Sequence, residues 1–134
     1  MEDVHIIQPV IVMEQRQLNN DGPWYSLSID KEGTVEYNGI RNVKTLGKQI
    51  HKVKKEDLNE LIEFAKTVYF FSLRDEYCAI VKHPNSRQTY ISISLENRYK
   101  RITYVNESKV PRSLIMLVKK IETVTNVAQW IGTI

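Results

Sequence analysis

The stretch from Glu56 to Tyr77 constrains the fold most, because a helical pattern there runs straight into an aromatic, strand-forming segment. Leu58, Leu61, Ile62, Ala65, Val68 and Tyr69 recur at the i, i+3, i+4, i+7 spacing of one helical face. Glu56, Asp57, Glu60, Glu63 and Lys66 fall mainly on the other sides. Phe70-Phe71-Ser72-Leu73 carries more apolar bulk than a solvated loop would, so it is expected to close the core. The acidic start of this helix, predicted over about 56–69, suits the positive end of the helix dipole.

Around that helix the period changes to two. Val4 to Met13 is rich in β-branched residues, and Pro9 favours an edge position or a strand that starts after it. Tyr25, Leu27 and Ile29 oppose Ser26 and Ser28. Asp30-Lys31-Glu32-Gly33 is a hairpin signal, with Gly33 supplying the left-handed residue of a bulge, and Val35 and Tyr37 then point inward. Asn38-Gly39 reads as another turn, and Lys48 to Lys54 as a further strand. Tyr77 to Lys82 reads as a strand and His83 to Ser86 as a turn. Thr89, Ile91, Ile93 and Leu95 oppose Tyr90, Ser92 and Ser94, and Glu96-Asn97 closes a hairpin into Arg98 to Val105. Pro111 fits the first turn of a second helix, predicted over about 111–126, with Leu114, Ile115, Leu117, Val118, Ile121 and Val124 buried. Trp130-Ile131 is expected to dock the tail.

The expected fold is therefore α+β: an antiparallel sheet of six or seven strands with two helices packed on one face. A strand–strand–strand–helix unit used twice is a further reading, since Tyr25–Ile29 and Tyr90–Ser94 look faintly alike. At 134 residues, one domain over 1–134 is expected, burying roughly two thirds of the surface of its unfolded chain.

The net charge of +3 hides a segregation. Residues 1–40 carry −5, 41–55 carry +6 with no acid, 56–80 carry −4 and 81–134 carry +6. No apolar run approaches the roughly 20 residues that span a bilayer. The acidic start, Met1-Glu2-Asp3, is unlike a secretory leader, and a lone cysteine excludes an internal disulfide, so a cytoplasmic location is expected.

Tyr25-Ser26-Leu27-Ser28-Ile29, Gly33-Thr34-Val35-Glu36-Tyr37, Gly39, Gly47, Phe70-Phe71-Ser72-Leu73, Asp75, Tyr77, Pro111, Leu114 and Trp130 give the chain a family likeness. It resembles a domain-of-unknown-function family of small bacterial and archaeal proteins, some of which look exported. That family similarly shows Tyr-Ser-x-x-Ile, Gly-x-Val-x-Tyr-x-Gly, Phe-Phe-x-Leu-x-Asp-x-Tyr and a late Pro-x-x-Leu, so the likeness runs from about Val10 to Trp130. Many members carry Cys-x-x-x-Cys-Pro before the Tyr-Ser strand, whereas this chain has Leu18 and then Gly22-Pro23. No thiol chemistry carries over, and the resemblance implies a fold without an activity.

Catalytic constellations are missing from the sequence. The five glycines are scattered, His5, His51 and His83 stand apart, and one cysteine gives no metal-ligand spacing, so no metal, cofactor or catalytic residue is expected. Cys78 could act as a nucleophile with His51 or His83, but a small buried strand residue is the favoured reading. Asp75-Glu76 fits a solvated turn better than an acid/base pair, and Ser92 and Ser94 fit the polar side of a half-exposed sheet. Asn106-Glu107-Ser108 is formally a glycosylation acceptor.

The basic run is the strongest functional candidate. Arg41, Lys44, Lys48, Lys52, Lys54 and Lys55, joined by Arg98, Lys100 and Arg101 with Tyr99 and Tyr104 among them, could meet nucleic-acid phosphates if the two strands were neighbours. The blander and favoured reading is that lysines guard an edge strand. The function expected from the sequence is thus a non-catalytic binding or protein-interaction module for a protein or small ligand, with nucleic-acid binding as the alternative.

Overall fold

The computed structural model describes residues 9–19, 21–77, 86–105 and 109–132. Seven strands and three helices follow one another in the order β1 (Pro9–Gln17), β2 (Trp24–Asp30), β3 (Thr34–Arg41), β4 (Gly47–Lys52), α1 (Lys55–Thr67), β5 (Glu76–Tyr77), β6 (Arg87–Leu95), β7 (Arg98–Val105), α2 (Arg112–Thr125) and α3 (Ala128–Ile131). A single sheet has the order β4-β3-β2-β1-β6-β7-β5, so the fold is α+β as expected. All its described pairs are antiparallel except β5 with β7, which run parallel.

The period of two decides which face is buried. Ile11, Met13, Leu27, Ile29, Val35, Ile91, Ile93 and Ile102 are all within 1% of fully buried on one face. Leu58, Leu61 and Ala65 of α1 and Leu114, Leu117, Val118 and Ile121 of α2 close the same core. The helices thus cover one side, and the opposite side is bare of any described helix. Pro9 opens β1, which is a central strand, so its missing N–H falls at the strand's first residue and not inside the ladder.

Turn chemistry explains most of the boundaries. The Asp30 carboxylate accepts the Glu32 and Thr34 N–H groups at 2.9 and 3.0 Å, and Gly33 takes a φ of 87°. Glu96 and Asn97 both have positive φ, the geometry of a tight hairpin whose twist matches its strands. Asn126, also left-handed, ends α2, with the Val127 N–H reaching back to the Glu122 carbonyl.

Four expectations are corrected. Asn38-Gly39 is no turn: β3 runs through it, and the chain reverses over 42–46. Tyr69 does not belong to the buried helical face. The helix ends at Thr67, and Tyr69 adopts a left-handed conformation that reverses the chain and swings Phe70 into the core, leaving Tyr69 74% exposed. Pro111 is the residue before α2, not within its first turn. The two halves also do not repeat one topology. Residues 9–52 form a four-strand meander, whereas β5 joins the sheet beside the last strand of its half.

Candidate functional site

The nine candidate cations do not form one surface. β4 and β7 have four strands between them, a separation of roughly 24 Å at normal strand spacing. The strand period further divides the second group. Arg101 points to the bare face and lies over the Tyr90 ring at 4.5 Å. Arg98 lies over Phe71 at 4.2 Å, and Lys100 reaches Asp75 at 2.6 Å. Arg41 donates to the Gln17 and Asn19 carbonyls at 3.0 and 2.8 Å and so braces the β1–β2 loop. Lys44 sits in the loop after β3, and Lys54 and Lys55 start α1. Lys48 and Lys52 share the outer face of β4 with Ile50 between them, and the Lys48 ammonium lies 3.7 Å from the Glu36 carboxylate.

The bare face is polar and carries both signs of charge. Glu14, Glu36 and Glu76 share it with Arg16, Arg41, Lys48, Lys52 and Arg101. Ser26, Ser28, Ser92 and Ser94 fill its middle, and a trough of about 460 Å³ runs between Glu14, Tyr90, Ser92, Tyr99 and Arg101. Trp24 is held at one end: its Nε1 donates to Glu14 at 2.7 Å, and the Arg16 guanidinium covers its ring at 4.2 Å. A polyanion would meet carboxylates interspersed among the cations here.

The β4 edge is more sharply defined. The Val53 N–H donates to the Gly33 carbonyl at 2.8 Å, which fixes the alternation of the antiparallel ladder. Residues 47, 49 and 51 turn their backbone groups toward β3. Lys48, Ile50 and Lys52 therefore turn N–H and C=O away from the sheet, and no described residue meets them. Ile50 is 60% exposed and Leu46, just before the strand, 63%. Large apolar side chains alternate with lysines along an open backbone edge.

A second feature lies inside the core. Tyr25, Gln15, Thr89 and Tyr104 face one another in register across β2, β1, β6 and β7, all nearly fully buried. The Tyr25 hydroxyl donates to Gln15 Oε1 at 2.9 Å, and Gln15 Nε2 donates to Thr89 Oγ1 at 3.5 Å. Burial above all, and then the Glu122 carboxylate, push the Tyr25 phenol far above its ordinary value near 10, while Arg87 opposes the shift. Tyr25 is thus a donor at neutral pH and no general base. The folded chain holds this proton to higher pH than the unfolded chain does, so the associated stability is intact below pH 10 and is lost as the pH rises above it. Denaturant titrations between pH 9 and 11 should show stability falling above 10, and Tyr25→Phe should remove the share due to Tyr25, about 1.4 kcal/mol per unit, leaving that of Tyr37, whose phenol burial also raises.

Sequence reasoning missed this row, although part of its signal was available. Gln15 has the parity of Ile11 and Met13, and Thr89 that of Ile91, so both are polar residues at core positions. His51 packs its ring edge on Trp130 at 5.9 Å, a structural contact. Among the described residues no group of His, Cys, Asp and Glu could hold a metal, and no helix is long and apolar enough to cross a membrane. His5, Cys78, His83 and Asn106-Glu107-Ser108 lie outside the described residues. No curated protein matches the chain. Residues 10–125, most of its length, match the family described as Domain of unknown function (DUF6438), and with the strands and helices of that span now accounted for, the chain belongs to that family.

Proposed function

We propose that this chain is a non-catalytic protein-interaction module whose edge strand β4 accepts an extended, acidic segment of a partner protein as an eighth strand. The outward backbone groups of Lys48, Ile50 and Lys52 carry the reading, because an added strand is the partner that satisfies them all. Charge selects the occupant. Lys48 and Lys52 flank Ile50 on one face, so an acidic–apolar–acidic alternation complements them. A second copy pairing antiparallel about Ile50 would set Lys48 against Lys52, which disfavours an edge-to-edge dimer. Nucleic acid is disfavoured by the separation of the basic groups and the carboxylates on the bare face.

The test uses the peptide acetyl-Thr-Glu-Thr-Val-Thr-Glu-Thr-amide. Its binding should slow amide exchange at Lys48, Ile50 and Lys52 beyond that of their neighbours Gln49 and His51, and should weaken with salt. Ile50→Pro removes an outward N–H and an exposed apolar side chain but no hydrogen bond to β3, so it should abolish binding while changing stability by less than about 1 kcal/mol. Undiminished binding by Ile50→Pro, or protection on another strand, sinks the proposal. So does a dimer in sedimentation held through β4, or salt-dependent binding of mixed oligonucleotides in place of the peptide.

A further inference from the structure

The polar row inside the core borders a cavity that the edge-strand reading leaves unused. It holds about 200 Å³ between the sheet and α2, with Gln15, Thr89 and Tyr104 on the sheet side and Arg87, Lys119 and Glu122 around it. That is room for about six waters, and thus for a ligand of only a few heavy atoms.

The hydrogen bonds define what the cavity offers. Gln15 Oε1 is occupied by the Tyr25 hydroxyl, and one Nε2 hydrogen goes to Thr89 Oγ1. The second Nε2 hydrogen of Gln15 and the hydroxyl hydrogen of Thr89 are donors for a guest. Lys119, exposed on α2, adds a cation at the rim, and Glu122 adds an acceptor. Apolar residues fill the neighbouring inward positions of the same strands, Met13 and Ile91, so packing alone does not call for a glutamine and a threonine there.

We propose that this cavity binds a small carboxylate bearing a hydrogen-bond donor on the adjacent carbon, of the size of glycolate or glycine. Gln15, Thr89 and Lys119 receive the carboxylate, and Glu122 accepts from the neighbouring hydroxyl or ammonium. The site involves β1, β6, β7 and α2 and is separate from the β4 edge, so it stands or falls independently of peptide binding.

Titrations at constant ionic strength followed by NMR test it with glycolate, glycine, acetate and ethylene glycol. Glycolate or glycine should shift the Gln15 side-chain amide and Thr89 saturably. Acetate, lacking the donor, should bind at least about tenfold more weakly, and ethylene glycol, lacking the charge, should not saturate. Thr89→Val and Lys119→Met should each weaken glycolate binding by about tenfold or more. If Thr89→Val does not fold, Lys119→Met, on the exposed side of α2, decides alone. Failure of both acids to saturate by about 10 mM, or equal affinity in the variants, overturns the proposal.

Discussion

Gly39→Ala should destabilise the protein by about 3 kcal/mol or more and lower its melting temperature by about 10 °C or more. Gly39 lies within β3, where a left-handed φ is not the issue; space is. A Cβ there would overlap the Thr45 carbonyl oxygen, and would stand 2.6 Å from the Tyr37 hydroxyl and 2.8 Å from Val43 Cγ2. The Thr45 carbonyl cannot simply retreat, because it accepts the buried Tyr37 hydroxyl at 2.9 Å and the Thr45 N–H bonds the Trp130 carbonyl at 2.8 Å. One methyl group therefore pushes on a strand, a loop and the C-terminal segment together. Gly47→Ala is the matched control. It has a φ of 87° but nothing within 4 Å of where the alanine methyl would sit, so only backbone strain of about 1 kcal/mol is expected. Urea denaturation separates the two, and a Gly39→Ala variant within about 1 kcal/mol of the parent would refute the steric account.

This glycine also shows what the sequence could and could not convey. Asn38-Gly39 carries a turn signature, yet the glycine serves a close approach by a loop that folds back from 42–46, and no local pattern announces such a contact. Local periodicity served well elsewhere. Leu27, Ile29, Val35, Ile91 and Ile93 are inward because alternation leaves no other face for them, and Leu58, Leu61, Leu114 and Leu117 follow from the helical stripe. Strand order is a different matter, since it depends on pairings between distant segments. The basic run could be read from the sequence as charge, and its lysines as marking an edge strand, which β4 is, but Arg98, Lys100 and Arg101 could not be seen to separate from Lys48 and Lys52 by four strands. The Tyr25–Gln15–Thr89–Tyr104 row needed both the parity of four strands and the identity of their neighbours.

Trp130→Ala should cost about 3–5 kcal/mol, and its effect should fall unevenly across the sheet. Trp130 is 8% exposed, stacks on Tyr37 with ring centroids 4.9 Å apart and receives the edge of His51 at 5.9 Å. Its backbone carbonyl ties down Thr45, and the Ile131 carbonyl accepts the Lys44 N–H at 3.0 Å. The C-terminal turn therefore braces the β3–β4 ribbon from the covered side, while β1 and β6 keep partners on both edges. Amide exchange at Gln49 and His51 should accelerate strongly in the variant while Met13 and Ile91 remain protected, and Trp130→Phe should recover part of both losses. Peptide affinity should fall as well, although Trp130 touches no partner, because a fraying β4 must be ordered before it can template another strand. That pattern differs from Ile50→Pro, where binding disappears and the ribbon stays folded. Preserved peptide affinity in a Trp130→Ala protein whose β4 amides exchange freely would mean that the edge strand is not the docking element.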